Sequence, residues 1–265
     1  MKPYYSHAGI TIYHGDCREV LPRLEFVHLV VTSPPYMDLR VYEGRSVQWE
    51  IVPEALSLCN LRDDGQMLVN LGMVHRDGAV VEYWSDLRRS LEAQGLKLAG
   101  WYVWDKGYGM PGDWAGRLAI AHEFIFHFRR QACKVNKTKP CTYAGLQKTR
   151  TQRNRDGSFH AFSHGGPVQD FKVPDSVLRI TPQRDGGAWN AAHPAIFPVE
   201  LPGELIAAFS RIGDWVIDPF CGSGTTLLAA KELGRHAIGI EIEEKYCEIA
   251  AKRLSQEVLN FQESV

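Results

Sequence analysis

Trp215-Val216-Ile217-Asp218 runs through a short turn containing Gly222-Ser223-Gly224 into a helix-like stretch at residues 225–233. A strand ending in an acid, a two-glycine turn and a helix form a βα unit open towards a nucleoside. Glycine lets the backbone turn tightly and come close to a ligand. A second acid, Glu241, ends the next apolar run, 17 residues past Gly224. A carboxylate there accepts hydrogen bonds from both ribose hydroxyls. The plain alternative is a structural turn followed by an acidic helix cap. Either way the chain is constrained to strands alternating with helices, an α/β fold with a mostly parallel sheet.

The remaining pattern agrees. Residues 10–13, 26–32, 66–71, 97–104, 123–128 and 237–241 read as strands, and the β-branched run at 26–32 as one covered on both faces. Helical spacing is found at residues 18–24, 53–60, 79–94, 198–211 and 245–254, with Asp63-Asp64-Gly65 read as a turn. At 45% hydrophobic content, 265 residues bury one full core. No apolar run reaches membrane-span length, the N-terminus has no signal-peptide pattern, and the six cysteines form no CxxC pair. These features predict reduced thiols in a cytoplasmic protein.

Periodicity is lost between residues 133 and 190. The expected organisation is a first half at 1–132, a loop-rich insert at 133–190 and a second half of the same domain at 191–265. Residues 129–155 hold nine of the 30 lysines and arginines and none of the 31 aspartates and glutamates. A basic segment on an acidic body suits a polyanion bound at one place. Taken alone, it is equally a solvated loop.

Thr32-Ser33-Pro34-Pro35-Tyr36 follows the strand at 26–32. Proline fixes its own φ and pushes the preceding residue to extended geometry, so the corner is stiff. The hydroxyl of Ser33 and the carbonyl of Pro34 are acceptors for the two N–H bonds of a planar amino group. Held this way, the amine of adenine or cytosine is bent towards tetrahedral geometry and its lone pair localised. Tyr36 offers a face for stacking an extruded base. Without the glycine turn, the run would read as a strand terminator.

The second run, Asp218-Pro219-Phe220-Cys221-Gly222-Ser223-Gly224-Thr225-Thr226, resembles the S-adenosylmethionine turn of amino-methyltransferases, DPFxGSGTT. With the TSPPY run it makes the chain similar to the β-group of DNA amino-methyltransferases, in which the catalytic motif precedes the cofactor motif. The resemblance implies a Rossmann-like class I methyltransferase sheet with circularly permuted motif order, a target-recognition insert, S-adenosylmethionine as cofactor and double-stranded DNA as partner. It also implies a homodimer, bacterial or phage-encoded. The implied catalytic residues are Ser33, Pro34, Pro35 and Tyr36. Those implied for the cofactor are Thr32, Asp218, Phe220, Gly222, Ser223, Gly224, Thr225 and Glu241. Asp16 and Cys17 join them through the Gly15-Asp16-Cys17 turn, as does Phe197 through His193-Pro194-Ala195-Ile196-Phe197-Pro198. DNA contacts fall to Arg40 and Arg45 in a loop at 37–50, and to Lys148, Arg150, Arg153 and Arg155. The methyl passes directly to nitrogen, so Cys17 and Cys221 are not nucleophiles.

Ser33 in place of aspartate suits cytosine-N4. The run Met37-Asp38-Leu39-Arg40-Val41-Tyr42 resembles the TSPPYxxLRxY start of stand-alone and phage methylases, where adenine-N6 is frequent. The balance favours adenine. A protein-glutamine or RNA methyltransferase is a further alternative, because a glutamine amide presents the same planar NH₂. A dinucleotide oxidoreductase needs a small residue where Leu227 stands. A DNA-binding module without activity is opposed by the intact corner. His122, Glu123 and His127 do not have zinc-protease spacing, and Cys133, Cys141, His160 and His164 match no common zinc site. No metal is expected. Trp101 and Trp104 read as packing.

Overall fold

The apolar runs become the middle of one sheet. The computed structural model of the chain describes residues 1–36, 41–42, 45–46, 49–109, 114, 116–182 and 197–255; for 41–42, 45–46, 148–152 and 160–165 it describes the backbone alone. The sheet's nine strands are β1 (Tyr5–His7), β2 (Ile10–His14), β3 (Val27–Thr32), β4 (Leu61–Leu71), β5 (Lys97–Asp105), β6 (His122–Arg129), β7 (Val177–Arg179), β8 (Trp215–Asp218) and β9 (His236–Glu241). Their order is β1-β2-β9-β8-β3-β4-β6-β5-β7. From β2 to β4 every neighbour is parallel. β6 runs antiparallel to both β4 and β5. The two strands formed last therefore lie between two formed near the start, which is the permuted order the motifs imply.

Among the described residues, six α-helices flank the sheet: α1 (Cys17–Val20), α2 (Ile51–Ser57), α3 (Trp84–Ala93), α4 (Glu200–Phe209), α5 (Thr225–Glu232) and α6 (Glu244–Ser255). Strand alternation sorts the core into two layers. Val30, Met67 and Phe126 pack with Val52 and Leu56 of α2 and Leu87 and Leu91 of α3. Leu29, Val31, Leu68 and Ile125 face Leu201 and Ile206 of α4, Leu227 of α5 and Cys247 and Leu254 of α6. Trp104 is buried; Trp101 is half exposed and packs edge-on against Phe124.

Three local readings are corrected. Asp63-Asp64-Gly65 lies within β4, where the pairing register with β3 slips between Val27 and Leu29, so the turn survives as a bulge. The helix expected from residue 79 starts at Trp84. Ala79–Val80 instead pairs with His75–Arg76 around Asp77-Gly78, both at positive φ, the Asp-Gly signature of a tight hairpin. The insert carries more strand than its texture implies: Gln147–Arg153 pairs with Phe159–Pro167, and Lys139–Pro140 with Phe171–Lys172. These ribbons stand apart from the nine-stranded sheet, so no apolar alternation marks them. Asn136 fastens the insert by donating to the carbonyls of Ala207 and Ser210 at 2.9 and 2.8 Å, at the end of α4.

His127 explains itself as structure. Its Nε2 meets Gln66 Oε1 and its Nδ1 meets the Tyr102 hydroxyl, each at 2.8 Å. The Gln66 amide nitrogen donates to the Asp64 carbonyl at 2.6 Å, so its oxygen is the acceptor and Nε2 carries the proton. Burial, aided by the Arg129 charge, pushes His127 down to about 4. A neutral buried histidine contributes stability that is complete above its ordinary value of about 6.5 and is lost as pH falls through about 4. The parent should lose up to about 3 kcal/mol across that window. In His127→Gln this part of the denaturant-melt profile should flatten; an unchanged acid slope would remove His127 as the cause.

Candidate active site

Parallel strands bring their C-terminal ends to one rim, where α/β folds bind ligands. Thr32 ends β3, Asp218 ends β8, Glu241 ends β9, and the Gly15-Asp16 turn follows β2. Thr32 Oγ1 donates to Asp218 Oδ1 at 2.6 Å, across 186 residues of sequence, with both groups buried. That bond joins the head of the TSPPY run to the head of the glycine turn. The Phe220 N–H donates to the same oxygen at 3.1 Å.

The glycine turn is built from the sequence outwards. Gly222 and Gly224 have φ of 51° and 79°, where side chains are strained. Gly239 of β9 leaves the room: a Cβ there would come within 2.8 Å of Cys221 Sγ and 2.7 Å of Leu227. Glu241 accepts the Gly222 N–H on Oε2 and the Glu243 N–H on Oε1, each at 2.9 Å. Burial raises its pKa despite these bonds. The Ile242 N–H also lies against this carboxylate, and of its roughly four acceptor positions at least one is left for a ligand. The residues fit a nucleoside cofactor on this ground: a desolvated carboxylate beside backbone free to approach.

The other expected cofactor residues divide. Gly15 N–H donates to the Glu241 carbonyl at 2.9 Å, which puts the Gly15-Asp16-Cys17 turn against this acid. Asp16 itself caps α1 through the Arg18 N–H at 2.9 Å and pairs with the Arg18 guanidinium, whose hydrogen bonds hold its carboxyl below the usual range. Ser223 and Thr225 turn their hydroxyls to Arg253 of α6, at 3.4 and 3.0 Å. They brace the turn from behind. Phe220 and Phe197 are half-buried against opposite core layers. Burial pushes Cys17 up to about 12 and Cys221 well above its ordinary value, so both stay thiols.

At the corner, Ser33 Oγ lies 3.2 Å from the Tyr36 hydroxyl. The Tyr36 ring packs at Gly72, where a Cβ would sit 2.8 Å from it. Three further residues arrive that the pattern did not mark as functional: Asn70 of β4, Glu123 of β6 and Lys106 just after β5. The available signals were an asparagine inside the apolar run Met67–Leu71 and a glutamate among alternating phenylalanines. Because β6 is antiparallel, its N-terminal end reaches the same rim as the other strands' C-terminal ends.

Of the residues expected to contact DNA, Arg153 and Arg155 are exposed on the hairpin at 147–167, Arg153 lying 5.9 Å over the Phe159 ring. Arg40, the side chains of Arg45, Lys148 and Arg150, and residues 183–196 lie outside the described residues. Four of the nine basic residues face the protein: Arg130 donates to the Leu61 carbonyl, Lys137 to Gln169 and Lys139 to Glu204, while Arg129 lies near His127. No described helix is long and apolar enough to cross a membrane. Among the described residues no cluster could hold a metal ion.

A family model described as DNA methylase, for N6 and N4 enzymes, matches residues 27–252. The chain belongs to the DNA amino-methyltransferases. The Type II methyltransferase M.Cfr9I of Citrobacter freundii is 30% identical, over 95% of this chain and 90% of its own. The orphan methyltransferase M.BamHII of Bacillus amyloliquefaciens is also 30% identical, over 92% of each. The cytosine-N4-specific PvuII DNA methyltransferase shares the fold, with a TM-score of 0.71 and 23% identity over 97% of this chain and 90% of its own. TTHA0409 from Thermus thermophilus, solved with S-adenosylmethionine, has a TM-score of 0.63 and 26% identity over 94% and 95%. This methyltransferase accordingly uses S-adenosylmethionine and acts on DNA.

The buried Asp218 has a measurable signature. Burial pushes it up to about 6, against the pull of Thr32, Thr226 and the Phe220 N–H. Its folded pKa lies above the ordinary value of 3.8, so its contribution is complete below that value and is lost as pH rises through about 6. Asp218→Asn keeps an acceptor and removes the ionisation. From about pH 4 to 7 its stability should gain on the parent by about 3 kcal/mol at most. Parallel profiles in denaturant melts would show that Asp218 does not ionise in this range.

Proposed function

We propose that this methyltransferase modifies the exocyclic amine of a base flipped out of double-stranded DNA at a defined sequence, with adenine-N6 as the target. The observation that carries the reading is the Thr32–Asp218 hydrogen bond, which sets the amine-holding corner directly beside the cofactor turn. S-adenosylmethionine supplies the methyl on a sulfonium sulfur. Glu241 holds the ribose hydroxyls, with the Gly222–Gly224 turn, Phe220, Asp16 and Phe197 around it. Ser33 Oγ and the Pro34 carbonyl accept the two amine hydrogens and localise the lone pair, and Tyr36 lies against the base. Positioning of this kind is the main lever in such a transfer. The nitrogen loses its proton after the methyl arrives, because a neutral serine is too weak a base to take it first.

The reading makes residues 133–190 the target-recognition insert, flanked by the two halves of one domain, with Val177–Arg179 returning to the sheet as β7. Arg153, Arg155, Lys148 and Arg150 then meet DNA phosphates, and Arg40 and Arg45 close over the base. The location is the cytoplasm of a bacterial cell. What supports adenine is the likeness of residues 32–42 to the start of stand-alone methylases. Cytosine-N4 is the second reading, and Ser33 at the head of the corner favours it. Mass spectrometry of digested DNA from cells expressing the chain separates them. N6-methyladenine is expected, and N4-methylcytosine alone would reverse the choice of base.

The two halves of the site should fail independently. Ser33→Ala should lower methyl transfer by about a hundredfold or more, with S-adenosylmethionine binding within roughly threefold of the parent. Glu241→Ala should weaken cofactor binding roughly 10- to 100-fold, as loss of hydrogen bonds to a charged group implies. Asp16→Ala should lose less, because its carboxylate already serves Arg18. Calorimetry reads both. A cofactor defect in Ser33→Ala, or none in Glu241→Ala, would dissolve the proposed division.

A further inference from the structure

Ser33 is one end of a hydrogen-bond circuit that ends on a carboxylate. The Tyr36 hydroxyl donates to Glu123 Oε2 at 2.7 Å. Asn70 Nδ2 donates to that oxygen at 2.6 Å and to the Tyr36 oxygen at 2.9 Å, with a longer contact of 3.4 Å to Ser33 Oγ. Lys106 Nζ holds Glu123 Oε1 at 2.5 Å. Asn70 is 5% exposed and its Oδ1 has no hydrogen-bond partner. Turning the amide over would bring that oxygen against the carboxylate, so the observed orientation is the favourable one.

Donor accounting gives the circuit a direction. An ionised carboxylate only accepts, so Tyr36 gives its one hydroxyl proton to Glu123. Tyr36 then has only its oxygen left for Ser33, and Ser33 must be the donor in their 3.2 Å contact. The proton of Ser33 is then directed to Tyr36, one lone pair faces the long contact from Asn70, and the other is left to accept. We infer that Glu123, acting through the Tyr36 hydroxyl, is the positioning residue that sets the Ser33 hydroxyl as an acceptor for the base amine. Lys106 and Asn70 fix the carboxylate in place. The titratable groups facing Glu123 are Lys106 after β5, Tyr36 after β3 and Tyr83 ahead of α3, with His122 beside it in β6.

The inference rests on Ser33 as amine acceptor and is independent of which base is methylated. The full-length chain is assayed with labelled S-adenosylmethionine and duplex DNA, counting all label on DNA. Tyr36→Phe keeps the ring and removes the hydroxyl; Glu123→Gln removes the charge. Each should lower kcat about tenfold to a hundredfold, with KM for DNA and cofactor Kd within roughly threefold of the parent. Glu123→Asp should restore part of the rate that Glu123→Gln loses. A purely structural role would shift KM, Kd and melting together with kcat. If Ser33→Ala is inactive while Tyr36→Phe and Glu123→Gln keep the parental kcat, the inference is overturned and the reading of Ser33 stands. An active Ser33→Ala overturns both.

Discussion

The site depends on a buried hydroxyl–carboxylate contact. Asp218 is buried at the end of β8, where it accepts the Thr32 hydroxyl from β3 at 2.6 Å. A carboxylate in such surroundings is costly to ionise unless hydrogen bonds surround it. That need fixes the ends of two neighbouring strands against each other. The stiff Pro-Pro corner follows one end and the glycine turn follows the other, so their separation is set by the sheet rather than by loops.

The rest of the rim follows from strand direction. β2, β9, β8, β3 and β4 present their C-terminal ends together, and Thr32, Asn70, Asp218 and Glu241 lie at or next to those ends. The cofactor side is then braced from behind. Arg253 reaches from α6 to the Ser223 carbonyl at 3.2 Å and to both hydroxyls of the turn. The Ser33–Tyr36 corner is braced by a different pair of strands. Glu123 lies in β6 and Lys106 directly follows its antiparallel neighbour β5, so the acid and its counter-ion come from one antiparallel unit.

The framework was legible because it rests on apolar period and glycine placement. Both motifs, the alternation of strands and helices and the permuted order can be read from residues alone. The ribbons of the insert were not, because polar strands lying apart from the core leave no alternation to read. Asn70 and Glu123 were hidden for the opposite reason. Each is a single polar residue inside a strongly apolar strand, where sequence spacing describes packing and says nothing of which neighbour's hydroxyl it meets. Asp16 shows a third limit: a motif position does not reveal that the same carboxylate also caps α1 and holds Arg18.

The position of β8 and β9 between β2 and β3 also governs how the chain comes together during synthesis. β2 and β3 leave the ribosome within the first 32 residues, yet each must wait for a neighbour that ends at residue 218 or 241. Until then both expose an unpaired edge, and the half-sheet from β3 to β7 has nothing to close against. Pairing at such sequence separation is slow, and open edges invite association between chains. The cofactor turn lies between the two strands that are synthesised last, so the chain segments that complete the sheet are the same ones that complete the turn.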